Sequence, residues 1–302
     1  MEDPTDGPFH PRVRRQCRRL IEAFAAVSLL LAAVGGCVGL PFQSVQSSER
    51  QLTQRVEKGS SAQSVRIESR NGRIEVVRDP SATAMEIATT IRCGGRDPAE
   101  AEARVAATKL VVDAGEDGRV RIAVEFPDGS SRGSDSASIV VRAPAIDGVE
   151  AATSNGRIEV RGASGGARLA TSNGSVEVDG HDGPVHVRTS NGPVRARAVT
   201  GPIDAATSNG RIEASLAPSA AGAVRFATSN GAIELDLGEN WQGTVEASTS
   251  NGRIELDGKV SKGSGSMTVG DAGAARAVLA TSNGRIVVRR TARSDVKPDE
   301  AR

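Results

Sequence analysis

Ala206-Thr207-Ser208-Asn209-Gly210-Arg211-Ile212-Glu213 is one copy of the unit that decides how this chain folds. Asn-Gly preceded by Thr-Ser recurs at Asn155, Asn173, Asn191, Asn209, Asn230, Asn251 and Asn283, with successive spacings of 18, 18, 18, 21, 21 and 32 residues. The second residue after each Gly is apolar: Ile158, Val176, Val194, Ile212, Ile233, Ile254 and Ile286. A fixed period of this size marks a repeat architecture, in which each unit buries its apolar face only against its neighbours.

Side-chain parity can be followed through the unit, because alternate residues of a strand face opposite ways. Val185 and Val187 carry Thr189 on their inward row, and Leu169 with Thr171, Val224 with Phe226 and Thr228, and Leu279 with Thr281 repeat that phase. The Thr ladder therefore belongs to the core, and the Ser points out. This parity also argues against an ice-binding Thr surface. Asn-Gly is equally the strongest signal for a type I′ hairpin, so an antiparallel β meander is the alternative. Hairpins accept Asp-Gly as readily, yet all seven turns carry Asn, whose amide can bond in register to copies above and below where stacked Asp would repel. Hairpin chemistry also gives Thr-Ser no role. The expected fold is all-β: a single-stranded parallel β-helix (β-solenoid) of 18–21-residue coils over 149–290, with parallel pairing dominant.

Upstream, residues 62–148 are less regular. Val65, Ile67 and Ser69 lead into Asn71-Gly72 and then Ile74 and Val76, a first appearance of the repeat. Strands are expected at 83–93, near 119–126 and at 138–142. Asp97, Pro98 and Glu100 make a capping-box-like start for a helix running to about Leu110, whose narrow apolar strip suits one short capping helix on the strands. Aromatic residues are only 2% of the 302, with no Tyr and a lone Trp241, so the core should be a thin one of Ala, Val and Ile.

The first 36 residues read as a targeting segment, with Arg12, Arg14, Arg15, Arg18 and Arg19 ahead of an apolar run from Ala23 to Val34 that is short for a membrane span. Residues 37–61, polar and without a hydrophobic period, are expected to be a flexible tether, and 291–302 a disordered tail. With residues 1–36 go five of the 38 basic and four of the 37 acidic residues, which leaves a formal charge of zero. That neutrality and the missing aromatics exclude a nucleic-acid binder.

Candidates for chemistry are few. Cys93 shares the parity of Met85, Ile87, Thr89 and Ile91 and is expected to be an inward, inert thiol. Gly162-Ala163-Ser164-Gly165-Gly166 fits a nucleophile elbow in letters only, since it lies in a turn between repeat strands. His181 and His186 lack a Ser-Asp or metal-ligand set and are expected in solvent. Glu213, Glu234 and Glu255 take one position in successive units, forming either an outward carboxylate column able to hold a divalent cation or, as preferred, a solvated face balanced by Arg211 and Arg253. Replacing all three by Gln should cost less stability than Asn209→Ala, whose amide is expected to be bonded on both sides and shielded from water.

Two stretches resemble known families. Val34-Gly35-Gly36-Cys37 resembles the lipobox of bacterial lipoproteins, which implies a lipoprotein signal peptide over 1–36 and a palmitate-type acyl anchor on Cys37. Residues 62–290, through Ile139-Val140-Val141-Arg142-Ala143-Pro144, the Ala-rich helix and the Thr-Ser-Asn-Gly repeat, resemble the bacterial putative-adhesin domain family of envelope proteins, related to auto-transporter adhesin head domains. That resemblance implies a β-helix and no catalytic residues; the insertion at 258–273 departs from it and is expected to loosen the last coil. The function expected is a membrane-anchored, non-catalytic interaction or scaffold module of the cell envelope, at the outer membrane, cell surface or periplasmic face. It needs no cofactor or metal, and it meets membrane lipid through its acylated N-terminus and an envelope protein or polysaccharide. The alternative is a polysaccharide-modifying β-helix enzyme.

Overall fold

The computed structural model describes residues 46–56, 63–115, 117–129 and 132–290, all within the unit formed by residues 44–302. The expected signal peptide, the acylation site Cys37 and the tail over 291–302 lie outside these residues. In chain order the first elements are β1 (Gln46–Val56), β2 (Gln63–Glu68), β3 (Ile74–Arg78), β4 (Met85–Gly95), α1 (Pro98–Ala107), β5 (Lys109–Ala114), β6 (Arg119–Glu125) and β7 (Ser136–Ala143). The repeat continues as β8 (Ile146–Ala152), β9 (Ile158–Arg161), β10 (Ser164–Ala170), β11 (Val176–Asp179), β12 (Val185–Arg188), β13 (Val194–Val199), β14 (Ile203–Thr207), β15 (Ile212–Leu216), β16 (Val224–Thr228) and β17 (Ile233–Leu237). The last strands are β18 (Gly243–Thr249), β19 (Ile254–Leu256), β20 (Lys259–Ser261), β21 (Ser264–Val269), β22 (Arg276–Thr281) and β23 (Ile286–Arg290).

Each coil gives one strand to each of two sheets. One has twelve strands in the order β1-β4-β7-β3-β9-β11-β13-β15-β17-β23-β19-β20, the other eleven in the order β21-β18-β22-β16-β14-β12-β10-β8-β2-β6-β5. Through the repeat, pairing is parallel and in register: Val176 lies between Ile158 and Val194, and Val187 between Leu169 and Ala205. The fold is thus the expected parallel solenoid, not the meander. Its core is one continuous cluster of Ile, Val, Ala and Leu, with Phe226 and Trp241 as its large rings.

At both ends spatial order departs from chain order. The coil of β22 and β23 sits inside the one made by β18 and β19, so Asn283 and not Asn251 follows Asn230, and the 21 residues from Asn230 to Asn251 do not separate successive coils. At the other end β2 and β3 sit inside β6 and β7. Antiparallel strands then close the ends: β4 on β7, β1 on β4 and β5 on β6, against β20 on β19 and β21 on β18. The four outermost strands, β1, β5, β20 and β21, are each paired on one side only among the described residues, so charged side chains on β1, β5 and β20 rather than the pairing direction discourage further pairing there.

Four expectations need correcting. Gln46–Val56, read as part of a tether over 37–61, is an eleven-residue strand. The insertion at 258–273 does not loosen a coil but supplies β20 and β21. The boundary expected at 148/149 falls within β8, and 62–148 belongs to the same stack. The helix ends at Ala107, where Thr108 returns its hydroxyl to the Arg104 carbonyl, and the chain resumes as β5. Its start is as read: Asp97 Oδ1 accepts the Glu100 N–H at 2.8 Å. The helix packs on β4 and β1, closing a small cluster of Ile91, Cys93 and Val105 with Leu52, Val124 and Phe126.

Candidate functional site

Thr-Ser-Asn-Gly forms the corner at which each coil passes from the eleven-stranded to the twelve-stranded sheet, and its four residues have separate jobs. The Thr is buried in all seven copies. Thr207 Oγ1 donates to the Gly192 carbonyl of the preceding coil at 3.2 Å and accepts its own Gly210 N–H at 3.1 Å, so one hydroxyl satisfies two buried backbone groups. The Ser carbonyl takes two N–H groups of the next coil, as Ser190 does from Ser208 at 3.1 Å and Asn209 at 2.9 Å. The Gly is needed for close approach: its backbone is not left-handed, and a methyl group at Gly192 would overlap the Gly174 carbonyl. This is why Asn-Gly makes no hairpin here.

The Asn side chains form an unbroken ladder. Asn173 donates Nδ2–H to Asn155 Oδ1 at 2.6 Å, Asn191 to Asn173 at 2.7 Å, Asn209 to Asn191 at 2.8 Å and Asn230 to Asn209 at 2.9 Å. Asn283 then donates to Asn230, and Asn251 to Asn283, both at 2.9 Å. The ladder begins one rung earlier than read, at Asn71, which accepts from Asn155 and donates to the Asp135 carbonyl. Asn71-Gly72 reads from the sequence as a first appearance of the repeat but not as a rung, because Ser69 and Arg70 stand where the other copies carry Thr-Ser. Contrary to expectation, these seven Asn are exposed, with the Ser beside them half-buried or exposed. The result is a row of amides and hydroxyls that is ordered and wet.

The outer face of the twelve-stranded sheet is an ionic lattice. Its central row reads Glu75, Glu159, Glu177, Arg195, Glu213, Glu234, Val287 and Glu255 in spatial order. The carboxylate column is therefore corrected: Glu213 and Glu234 are neighbours, but buried Val287 separates Glu234 from Glu255. Arg195 bonds Glu213 at 3.0 Å, Arg211 bonds it at 2.8 Å, and Arg285 meets Glu234 at 3.1 Å. The Arg211 hydrogen bond, reinforced by Arg195, holds the Glu213 carboxyl below its ordinary range although partial burial opposes this. Glu159 is nearly sealed between Arg73 and Arg161. Among the described residues no group of three or more His, Cys, Asp or Glu is placed to hold a metal ion.

The remaining candidates are bound into the fold. Ser164 Oγ donates to the Ile146 carbonyl at 3.0 Å. Cys93 is buried 3.6 Å from Thr108 Oγ1, and burial raises its thiol pKa. Trp241 is no sugar platform: it is buried, with Nε1–H aimed at the Gly222 carbonyl. A buried ion pair that sequence reading missed, Arg104 with Asp135 at 2.6 Å, ties the helix to the loop beneath the first Asn rung. His186 is exposed, 3.7 Å from Asp204, as parity predicts.

His181 contradicts its reading as a solvated residue. It is 1% exposed, in an inward row with Ala163 and Val199 at the corner opposite the Asn ladder. Nε2 lies 2.9 Å from the Gly165 carbonyl while Nδ1 has no partner, so the ring is a neutral donor. Burial lowers its pKa from 6.5, against smaller opposing effects of the Gly165 carbonyl and Asp182. The unfolded chain therefore takes up a proton first as pH falls, and the stability present above 6.5 drains away until the lowered folded pKa is passed. Melting temperature should fall as pH drops through 6.5 and below, and less steeply in His181→Gln. Equal slopes in both proteins would remove His181 as the source.

Among the described residues no helix is long and apolar enough to cross a membrane. Among curated proteins, none matches the chain. Solved structures similar to it include a putative adhesin from Bacteroides fragilis NCTC 9343, at 11% identity, covering 82% of this chain and 98% of that one with a TM-score of 0.40. A putative cell adhesion protein from Clostridium sporogenes ATCC 15579 is 8% identical over 81% of this chain and 100% of that one, TM-score 0.35. A putative adhesin from Parabacteroides distasonis ATCC 8503 is 8% identical over 81% and 98%, TM-score 0.29. The family model described as Toastrack DUF4097 matches residues 44–289, which is most of the chain and all but one residue of its described solenoid. The chain therefore belongs to the Toastrack DUF4097 family.

Proposed function

We propose that this chain is an interaction module of the bacterial cell envelope, anchored by a lipid on Cys37, that holds a repetitive polar polymer, an envelope polysaccharide, along its turn row. The supporting observation is the exposed Asn ladder. Each rung is fixed by its neighbours, yet an amide spends only one of its two N–H groups and one acceptor site on the ladder. A ligand meeting such a row finds donors and acceptors already ordered, so little side-chain entropy is lost on binding. The groups that could do chemistry instead, Ser164, His181 and Cys93, are each engaged with the fold.

Purified protein incubated with envelope polysaccharides tests this reading. Retention without product is expected, and it should weaken when Ser190 and Ser208 on the row are replaced by Glu. Release of shortened or modified product would establish the enzyme instead. Metabolic labelling with a lipid precursor tests the anchor: label should be lost in Cys37→Ala, and continued incorporation would exclude that site.

A further inference from the structure

Asn followed by Gly is open to attack on its own side chain, because no Cβ shields the Gly nitrogen from the amide carbon of the Asn before it. This chain carries the dipeptide in four identical hexapeptides, Thr-Ser-Asn-Gly-Arg-Ile, at 153–158, 207–212, 249–254 and 281–286. Differences in reactivity among Asn155, Asn209, Asn251 and Asn283 are therefore set by the fold and not by the adjoining sequence.

The fold treats these four differently. Asn209 is held on both sides, donating to Asn191 and accepting from Asn230, and the N–H of buried Gly210 is tied to Thr207 Oγ1 at 3.1 Å. Asn155 and Asn283 also both donate and accept along the ladder, although neither Thr153 nor Thr281 takes the Gly N–H of its own turn. Asn251 is the outermost rung. It donates to Asn283 at 2.9 Å, but no described side chain donates to its own Oδ1. Thr249 gives its hydroxyl to the Gly284 carbonyl at 3.1 Å and takes no bond from the Gly252 N–H. Gly252 is half-buried where Gly156 and Gly210 are buried, and the Asn251 side chain is exposed.

We propose that Asn251 is a self-modification site, at which the folded chain loses a side-chain amide ahead of the other rungs. Water or hydroxide takes the Gly252 N–H proton, the nitrogen forms a bond to Asn251 Cγ, and the Cγ–Nδ2 bond breaks, so that Nδ2 leaves as ammonia with a proton from solvent. No atom is oxidised or reduced. Water then opens the cyclic imide at either carbonyl, which yields an aspartyl residue or an isoaspartyl link through the side chain. For Cγ to reach the nitrogen, Asn251 gives up one ladder bond, whereas Asn209 gives up two and the Thr207 bond as well. Those two extra bonds should slow Asn209 about tenfold or more. A carboxylate at 251 has no N–H to offer Asn283 Oδ1, so the last rung opens and the row gains a negative charge at its end.

Peptide mapping by mass spectrometry tests this, on the full chain incubated folded at mildly alkaline pH and sampled over days, with conversion read at each Asn-Gly as the mass difference between amide and acid. Asn251 is expected to convert first and Asn209 last, with Asn155 and Asn283 between them. In the urea-unfolded chain the four hexapeptides should react at near-equal rates, since the ladder and the Thr bonds are gone. Thr207→Val, with near-native circular dichroism, frees the Gly210 N–H and should raise conversion at Asn209 while leaving that at Asn251 unchanged. The proposal is overturned if Asn251 reacts no faster than Asn155 or Asn209 in the folded chain, or if it leads by the same margin in urea.

Discussion

Gly192→Ala is expected to destabilise the chain far more than the loss of the neighbouring Asn191 side chain does. The added methyl meets the carbonyl of Gly174, and with it backbone atoms of Ser175, so no rotamer can relieve it. The two coils must part at that corner. Doing so strains the bonds from Ser190 and Asn191 N–H to the Ser172 carbonyl, from Thr189 Oγ1 to the Gly174 carbonyl, and from Asn191 Nδ2 to Asn173 Oδ1. At about 0.5–1.5 kcal/mol for each of these four bonds, the loss is about 2–6 kcal/mol. That is a large share of the roughly 5–15 kcal/mol that holds a folded domain together. Asn191→Ala removes two side-chain bonds at an exposed position where water replaces them, and about 1 kcal/mol is expected. Urea denaturation of both variants measures the difference. Should Gly192→Ala prove as stable as the wild type, Gly would not be there for coil spacing, and the stacking account of the repeat would have to be abandoned. The same comparison revises the expectation for Asn209: its exposure makes Asn209→Ala a mild change, of the same order as replacing Glu213, Glu234 and Glu255 by Gln, whose partly exposed carboxylates contribute about 0–1 kcal/mol each.

Phe226→Ala is the second large effect expected. Phe226 is 1% exposed and stands between Ala205 and Leu279 in a core row whose other members, among them Leu169, Val187 and Ala247, are aliphatic. With one Trp and five Phe in the sequence, few other rings fill the space between the sheets. Truncation to Ala removes the apolar contacts and leaves a cavity that strands fixed on both sides cannot collapse into, at about 3–5 kcal/mol. Phe226→Leu keeps most of the volume and should cost about 1 kcal/mol. Equilibrium unfolding separates them. Near-equal, small losses would mean that the core row repacks freely, contrary to the in-register stacking described above.

What the sequence determined by itself is the unit and its handling of polarity. The invariant Thr-Ser-Asn-Gly, read by parity, places Thr inside and Ser outside, and uniform Asn implies a bonded ladder; all of these depend on one residue and its copy in the next coil. The helix start was legible for the same reason, since Asp97 and Glu100 act within one turn. Tertiary structure alone decided the rest. Which coil lies next to which depends on how the chain threads its ends, so Asn283 comes between Asn230 and Asn251, and Val287 breaks the Glu column, although spacing suggests otherwise. His181 lies at a corner where strand alternation lapses, so parity could not tell that the ring turns inward. The exposure of the Asn amides was decided by what covers the corner, not by the ladder itself. Local pattern fixes the contacts that repeat; the ends of the stack and the corners are set by burial of edges, which no single unit encodes.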